Sequence, residues 1–249
     1  MTEKAKIDIL VHCFYHRVGL HRGHPVLSVR WPLTPMPQET VNEVYGGKVF
    51  SLGSTNTVLI RDGDLKMVHD PGILQLGRYG TLGMRLEEFR LKPDDIDVVI
   101  NSHCHYDHIE ANYMFKGKPL YVHEDEVKFC DRLYWPEFTE AFMGIMDVKS
   151  FKGEARVSDN VMIIETVGHT PGSVTTLVDT EDGLIALVGD AAIVKEDLLE
   201  LRPPSVVTKN LEADVAVASL RKIRDLNPAL VVPGHDAPFS PQGLKWSDL

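Results

Sequence analysis

Positive charge is scarce in this sequence, and long apolar runs are missing altogether. Lys and Arg number 26 against 36 Asp and Glu in 249 residues, a net charge of −10. Such a surface repels phosphate backbones and anionic headgroups, which argues against nucleic acid and membranes as partners. No stretch approaches the roughly 20 apolar residues of a membrane span. The apolar run from Ile7 to Val11 is about strand length and too short for a signal-peptide core. Cysteine is equally sparse. Cys13, Cys104 and Cys130 are odd in number and lack framework spacing, so a disulfide scaffold is not expected and a reduced, cytoplasmic setting is. With 43 % hydrophobic and 25 % charged residues, the composition is that of a folded globular chain.

What is present is one plan used twice. Residues 56–60 and 65–68 flank Asp62-Gly63, a hairpin signal, and the second strand runs into Asp70-Pro71-Gly72. A helical stretch over residues 81–90 carries Leu82, Leu86 and Phe89 on one face. Leu91-Lys-Pro93, the apolar strand 98–100 and His103 follow. The second copy has strands 173–178 and 184–188 around Asp182-Gly183, then Asp190. A helix over 211–226 presents Ala216, Val217, Leu220 and Ile223. Leu226-Asn-Pro228, strand 230–232 and His235 complete it. Two similar halves, each a sheet with helices on one face, bury their remaining faces by packing sheet on sheet. The expected fold is therefore α/β, a four-layer αβ/βα sandwich. We read residues 1–249 as one domain with its core over about 50–240. Residues 1–50 should add one or two strands and, at 31–37, a loop that three prolines keep from being helical. Residues 124–150 read as a helical, aromatic-rich insertion, and 194–210 as an irregular crossing.

The chemistry sits at the ends of the buried strands. Asn101-Ser-His103-Cys-His105-Tyr-Asp107-His108 follows strand 98–100. In extended chain, alternate residues face one way, so His103, His105 and Asp107 share a side. Cys104 then points away from them, into the core. From this composition, H-x-H-x-[DE]-H arises by chance roughly 3 times in 1000. Imidazole and carboxylate suit Zn²⁺, and also Fe or Mn. Four ligands from one loop already fill a single site. His169, Asp190 and His235, each preceded by a glycine and following a strand-like segment, are further candidates and would imply two ions.

The order H-x-H-x-D-H, Gly-His, Gly-Asp, Gly-His resembles the metallo-β-lactamase superfamily over about residues 50–240. The resemblance implies one divalent metal ion on His103, His105 and His169, and a second on Asp107, His108 and His235. Asp190 is the implied bridge, and Asp70 the implied partner that orients a ligand imidazole. It also implies an activated water as nucleophile, with Asp107 shuttling the proton. Within the superfamily the chain looks most like N-acyl homoserine lactonases, through His169-Thr-Pro-Gly-Ser173 and Gly234-His-Asp236. It departs from them at Ile193, where they carry a tyrosine, and at Ile109-Glu110, where they tend to carry Gly-Gly. Thioester hydrolysis as in glyoxalase II-like members, phosphodiester cleavage and di-iron redox or binding roles remain alternatives at this level.

Other features are less specific. Residues 129–146 hold Phe129, Tyr134, Trp135, Phe138, Phe142, Met143 and Met146, with Phe138, Phe142 and Met146 at i, i+4 and i+8. This stripe reads as core, as a homodimer contact, or, with Trp31 and Leu33, as a wall beside the metals. Such a wall would take the apolar portion of a small-molecule substrate. His12, His16, His21 and His24 read as loop histidines, the first two at helical spacing. Arg30, Arg202 and Lys209 read as solvated charge, with a substrate anion as the alternative partner.

Overall fold

The twice-used plan takes shape through two tight hairpins. In the computed structural model, which describes residues 3–11, 14–21, 24–29, 50–72, 81–133, 143–204 and 213–243, the first hairpin pairs Asp62 with Leu65 across Gly63-Asp64. Gly63 has a φ of 58°, the left-handed conformation such a two-residue turn demands. The second pairs Thr180 with Gly183 across Glu181-Asp182. The strands, in chain order, are β1 (Lys6–Val11), β2 (Phe14–His21), β3 (His24–Val29), β4 (Phe50–Ser54), β5 (Thr57–Asp62), β6 (Leu65–His69) and β7 (Val98–Ile100). They continue as β8 (Pro119–His123), β9 (Asp147–Phe151), β10 (Ala155–Arg156), β11 (Val161–Glu165), β12 (Val174–Thr180), β13 (Gly183–Gly189) and β14 (Leu230–Pro233). The helices are α1 (Thr81–Glu88), α2 (Tyr106–Ile109), α3 (Glu124–Leu133), α4 (Lys195–Leu199) and α5 (Ala213–Asp225).

The halves share a topology. Antiparallel β5–β6 is followed by α1 and a parallel return to β7, and antiparallel β12–β13 is followed by α5 and a parallel return to β14. The first half grows into a sheet ordered β1-β5-β6-β7-β8-β9, the second into β10-β11-β12-β13-β14. Strand periodicity sorts the apolar residues into layers. Val58, Ile60, Met67, Val98 and Ile100 face Val161, Ile163, Val178, Leu187 and Val232 between the sheets. Leu59, Val68, Val99 and Leu120 face outward onto Leu82, Leu86, Ile109 and Phe115. Leu177, Ala186 and Val231 face outward onto Leu198, Leu220 and Ile223. These three cores make the four-layer sandwich. Each fully buried Leu, Ile or Val contributes about 1.5–3 kcal/mol of transfer free energy, so the alternation is strongly enforced.

Three sequence expectations are corrected. Among the described residues before Phe50 there are three strands, not one or two, with β2 and β3 joined to β4 in a separate sheet ordered β3-β2-β4. His16, His21 and His24 accordingly lie in strands, not loops. Residues 124–150 are helical only through Leu133 in the described part, and from Asp147 the chain forms β9 at the edge of the larger sheet. The crossing at 194–210 begins with the short helix α4. No helix among the described residues is long and apolar enough to cross a membrane.

Candidate metal centre

Four strands end at one edge of the sandwich. Asp70 follows β6, His103 follows β7 by three residues, Asp190 follows β13, and His235 follows β14 by two. Main-chain bonds lock the edge across the halves. Val174 N–H donates to Ser102 O at 2.9 Å, Asn56 N–H to Gly234 O at 3.0 Å, and Gly234 N–H to Gly189 O at 2.9 Å. Buried Asn56 also donates from Nδ2 to Pro233 O at 2.7 Å and Asp236 O at 2.8 Å, and Thr55 Oγ1 donates to Gly234 O at 3.1 Å. The loop carrying His235 is thus held by the two residues just before β5.

Seven side chains converge there in two groups, His103, His105, His169 and Asp190 in one, and Asp107, His108 and His235 in the other. Within each group one ligand atom per residue lies within 4.8 Å of the others. In the first, His103 Nε2 is 3.0 Å and His169 Nε2 is 2.7 Å from His105 Nδ1, and His169 Nε2 is 3.3 Å from Asp190 Oδ2. In the second, His235 Nε2 is 3.4 Å from His108 Nε2 and 3.2 Å from Asp107 Oδ2. Asp190 Oδ1 reaches this group too, at 3.4 Å from both His108 Nε2 and His235 Nε2. It is buried and has no hydrogen-bond partner. A tetrahedral Zn²⁺ with bonds of about 2.0–2.1 Å sets neighbouring donors about 3.3 Å apart. Imidazole nitrogens converging at this spacing around a carboxylate oxygen without a donor fit cation ligation.

Which nitrogen faces inward is fixed from behind. Asp70 is buried, and Ser102 N–H and Oγ–H donate to its Oδ1 and Oδ2, each at 2.6 Å. With its proton committed there, Ser102 Oγ accepts from His103 Nδ1 at 3.0 Å, and His108 Nδ1 donates to Asp70 Oδ2 at 2.9 Å. Both rings therefore present Nε2 to the centre. Asp70 adopts a φ of 45°, a strained backbone for a residue with a side chain, held by its N–H bond to Ile100 O at 2.9 Å. Close packing reinforces the arrangement at two glycines. A Cβ on Gly72 would stand 1.7 Å from Asp107 O, and one on Gly234 1.9 Å from Asp190 Oδ1.

Electrostatics divide the centre. Burial, with His108, His105 and His169 around it, pushes His103 well below the usual imidazole value. Burial and His169 bring His105 down to about 4. Burial opposes charge on His108 as well, but Asp190, Asp70 and Asp107 overcome it and hold that imidazole up at about 10. His235 is likewise raised despite burial, by Asp190 and Asp107. Burial acts to raise both carboxyls, yet the neighbouring imidazoles keep Asp190 and Asp107 lowered.

All seven ligand candidates from the sequence therefore meet at one edge. Cys104 points into the core as alternation requires, and burial pushes its thiol well up. Ile193 is half-buried and its carbonyl accepts His235 N–H at 3.0 Å, which sets this residue beside the centre. Of the aromatic stripe, Phe129 stands with its ring 6.3 Å from that of His105, whereas Met143 and Met146 belong to the outer core. Tyr134, Trp135, Phe138, Phe142, Trp31, Leu33, Arg30, Lys209 and His12 lie outside the described residues. Arg202 is bound to Asp197 at 2.9 Å. Ser102, Thr55 and Asn56 were not singled out by sequence reasoning. Asn56, a buried polar residue opening an apolar strand, was the available signal. A cavity of about 430 Å³, lined in part by Lys6, Asp8, Arg61 and Leu230, opens at the far end of the sandwich and contains none of the seven.

Comparison with known proteins places the chain in a family. Residues 51–235 match the family model of the metallo-beta-lactamase superfamily. A probable metallo-hydrolase of Methanocaldococcus jannaschii is 38 % identical over 151 residues, 61 % of this chain and 62 % of the relative. An N-acyl homoserine lactonase of Bacillus cereus is 28 % identical over 156 residues, 61 % of this chain and 60 % of the relative. The match thus spans about three-fifths of the length of these curated relatives. Among solved structures, a quorum-quenching N-acyl homoserine lactone lactonase superposes with a TM-score of 0.65 at 22 % identity, covering 95 % of this chain and 93 % of that one, a likeness of fold.

Proposed function

The chain belongs to the metallo-beta-lactamase superfamily, and we propose that it is a dinuclear metal-dependent hydrolase acting on an ester, lactone or thioester. The observation that carries this reading is the convergence of two ligand groups on one carboxylate, Asp190. In it, His103, His105 and His169 would hold one divalent ion, Asp107, His108 and His235 would hold the second, and Asp190 would serve both. Two cations bound there would supply Lewis acidity, acidifying a water and polarising the scissile carbonyl. Zn²⁺ suits this nitrogen and oxygen donor set, with Fe and Mn also accommodated.

The chain's own groups then have distinct tasks. Asp70, through Ser102 and directly, keeps the Nε2 atoms of His103 and His108 aimed inward. Asp107 is the proton carrier. Its side chain is 29 % exposed against 6 % for Asp190, so it alone of the two carboxylates meets both the centre and solvent. With a net charge of −10, neutral carbonyl substrates approach more readily than phosphodiesters. We further read the chain as one domain, because the inner core draws on both sheets.

The test is a panel of lactones, thioesters, phosphodiesters and a β-lactam offered to the metal-loaded protein. Turnover should be greatest on the neutral esters, lactones or thioesters. Robust nuclease activity beside inert esters would reverse the assignment. The relative from B. cereus is named a lactonase, but Ile193 brings no phenol to the substrate here, so the reading extends to the wider ester class.

Metal loading should also depend on pH unequally at the two sites. At neutral pH His105, at about 4, is already unprotonated, whereas His108, at about 10, carries a proton that a cation must displace. Acidification should therefore empty the Asp107–His108–His235 site first, and protons should be released as that site fills. Titration calorimetry in buffers of different ionisation heat reads this directly. Equal pH dependence at both sites would contradict it.

A further inference from the structure

One buried carboxylate outside the seven ligands joins the two halves of the centre. Glu126, in the first turn of α3, is fully buried. Its Oε2 accepts from Cys104 N–H at 2.9 Å, the amide between His103 and His105 on the larger sheet's side. Its Oε1 accepts from Gly172 N–H at 2.8 Å, three residues beyond His169 on the other half. Thr170, next to His169, also bonds the same side chain. The contact is tight, since a Cβ on Gly172 would lie 2.8 Å from Glu126 N and 2.7 Å from His123 Nδ1. His123 is itself fixed, by Asp125 N–H at Nδ1 (3.1 Å) and by Glu165 Oε1 at Nε2 (2.8 Å). The base on which Glu126 stands is thus anchored before it reaches the loops.

We propose that Glu126 is a positioning residue that sets the spacing of His103, His105 and His169 by gripping the main chain of both loops that carry them. The inference rests on the dinuclear reading above. The two carboxyl oxygens have lone pairs enough for all three donors, and each bond restrains a loop rather than a ring. The Asp107–His108–His235 group is held instead by Asp70, Asn56 and Thr55. Loss of Glu126 should therefore weaken one site and spare the other. Glu126→Gln keeps the shape but turns an amide NH₂ toward one of the main-chain donors, so one grip is lost.

The experiment titrates Co²⁺, followed by its visible absorption, into the full chain. Glu126→Gln is placed in two backgrounds, His235→Ala, which retains the three-histidine site, and His169→Ala, which retains the other. In the His235→Ala background Glu126→Gln should weaken Co²⁺ binding by about tenfold to a hundredfold. In the His169→Ala background the change should stay within about threefold, well below that range. Should Glu126→Gln fail to fold by circular dichroism, Thr170→Val, which removes one donor to the same carboxylate, is compared in the same way with a smaller shift in the same direction expected. Equal weakening in both backgrounds, or none in either, overturns the positioning role while leaving the dinuclear reading intact. A wild-type chain that never takes up two Co²⁺ ions removes that reading and the inference with it.

Discussion

Asp190→Ala should give a folded protein that keeps neither cation at stoichiometric level and has no turnover above background. The carboxylate stands between the groups, with Oδ2 at 3.3 Å from His169 and Oδ1 at 3.4 Å from both His108 and His235. Removing it takes away a ligand of both ions and leaves mutually facing imidazoles with less negative charge to hold cations. Loss of a partner behind a ligand already lowers metal affinity about 10–100-fold, so loss of a shared ligand should exceed that at each site. His169→Ala and His235→Ala should each empty mainly one. Elemental analysis after dialysis distinguishes these patterns. Two retained ions in Asp190→Ala, or at most one in metal-replete wild type, would refute the bridge.

Asp107→Asn should lower turnover by about 10²–10⁴, the range associated with a positioned proton carrier, in protein that still contains metal. The amide oxygen can remain near His235, where Asp107 Oδ2 now lies at 3.2 Å. It cannot accept the proton of the attacking water and pass it to the leaving group. The neighbouring imidazoles keep Asp107 lowered against the pull of burial, so the carboxyl is unprotonated at neutral pH. Turnover is to be read beside metal content. Full activity with two ions present would assign the proton to another group, and loss of metal in step with activity would make Asp107 a ligand only.

The candidate ligand set was legible in the sequence because its signals are chemical. Histidine, aspartate and the glycines before them are rare in combination, and the turns at Gly63 and Gly183 announce the hairpins that deliver them. The repeat of hairpin, helix and buried strand gave the layers for the same reason, since the core strands alternate or run apolar. Strand β9 was hidden by its own exposure. Its Asp-Val-Lys-Ser-Phe pattern has two half-buried positions among exposed ones, and main-chain pairing with β8 makes it a strand. In β2 and β3, Phe-Tyr-His-Arg-Val-Gly-Leu-His and His-Pro-Val-Leu-Ser-Val mix polar residues and a proline into strands that only pairing defines. Glu126 and Asn56 escaped because they bond main-chain atoms far away in sequence, and Ser102 because its partner Asp70 lies on another strand's end. An acid in the first turn of a helix ordinarily reads as a favourable end charge, and nothing local tells that Glu126 is buried.

The distance along the chain between facing ligands has a consequence for how the protein acquires its metal. His108 and His235 face each other across 127 residues of sequence, and the strands that present them are closed by parallel returns rather than by hairpins. Such non-local contacts form late, after loop closure has been overcome. During synthesis the first half can offer His103, His105, Asp107 and His108, but His169, Asp190 and His235 arrive only when the second sheet docks. Metal capture is then a reading of completed folding. By mass action, each ion bound to the native state alone would add about 2.7 kcal/mol at a free concentration 100 times its dissociation constant. A cell short of metal would hold this chain nearer its unfolding threshold, and its abundance would follow metal supply.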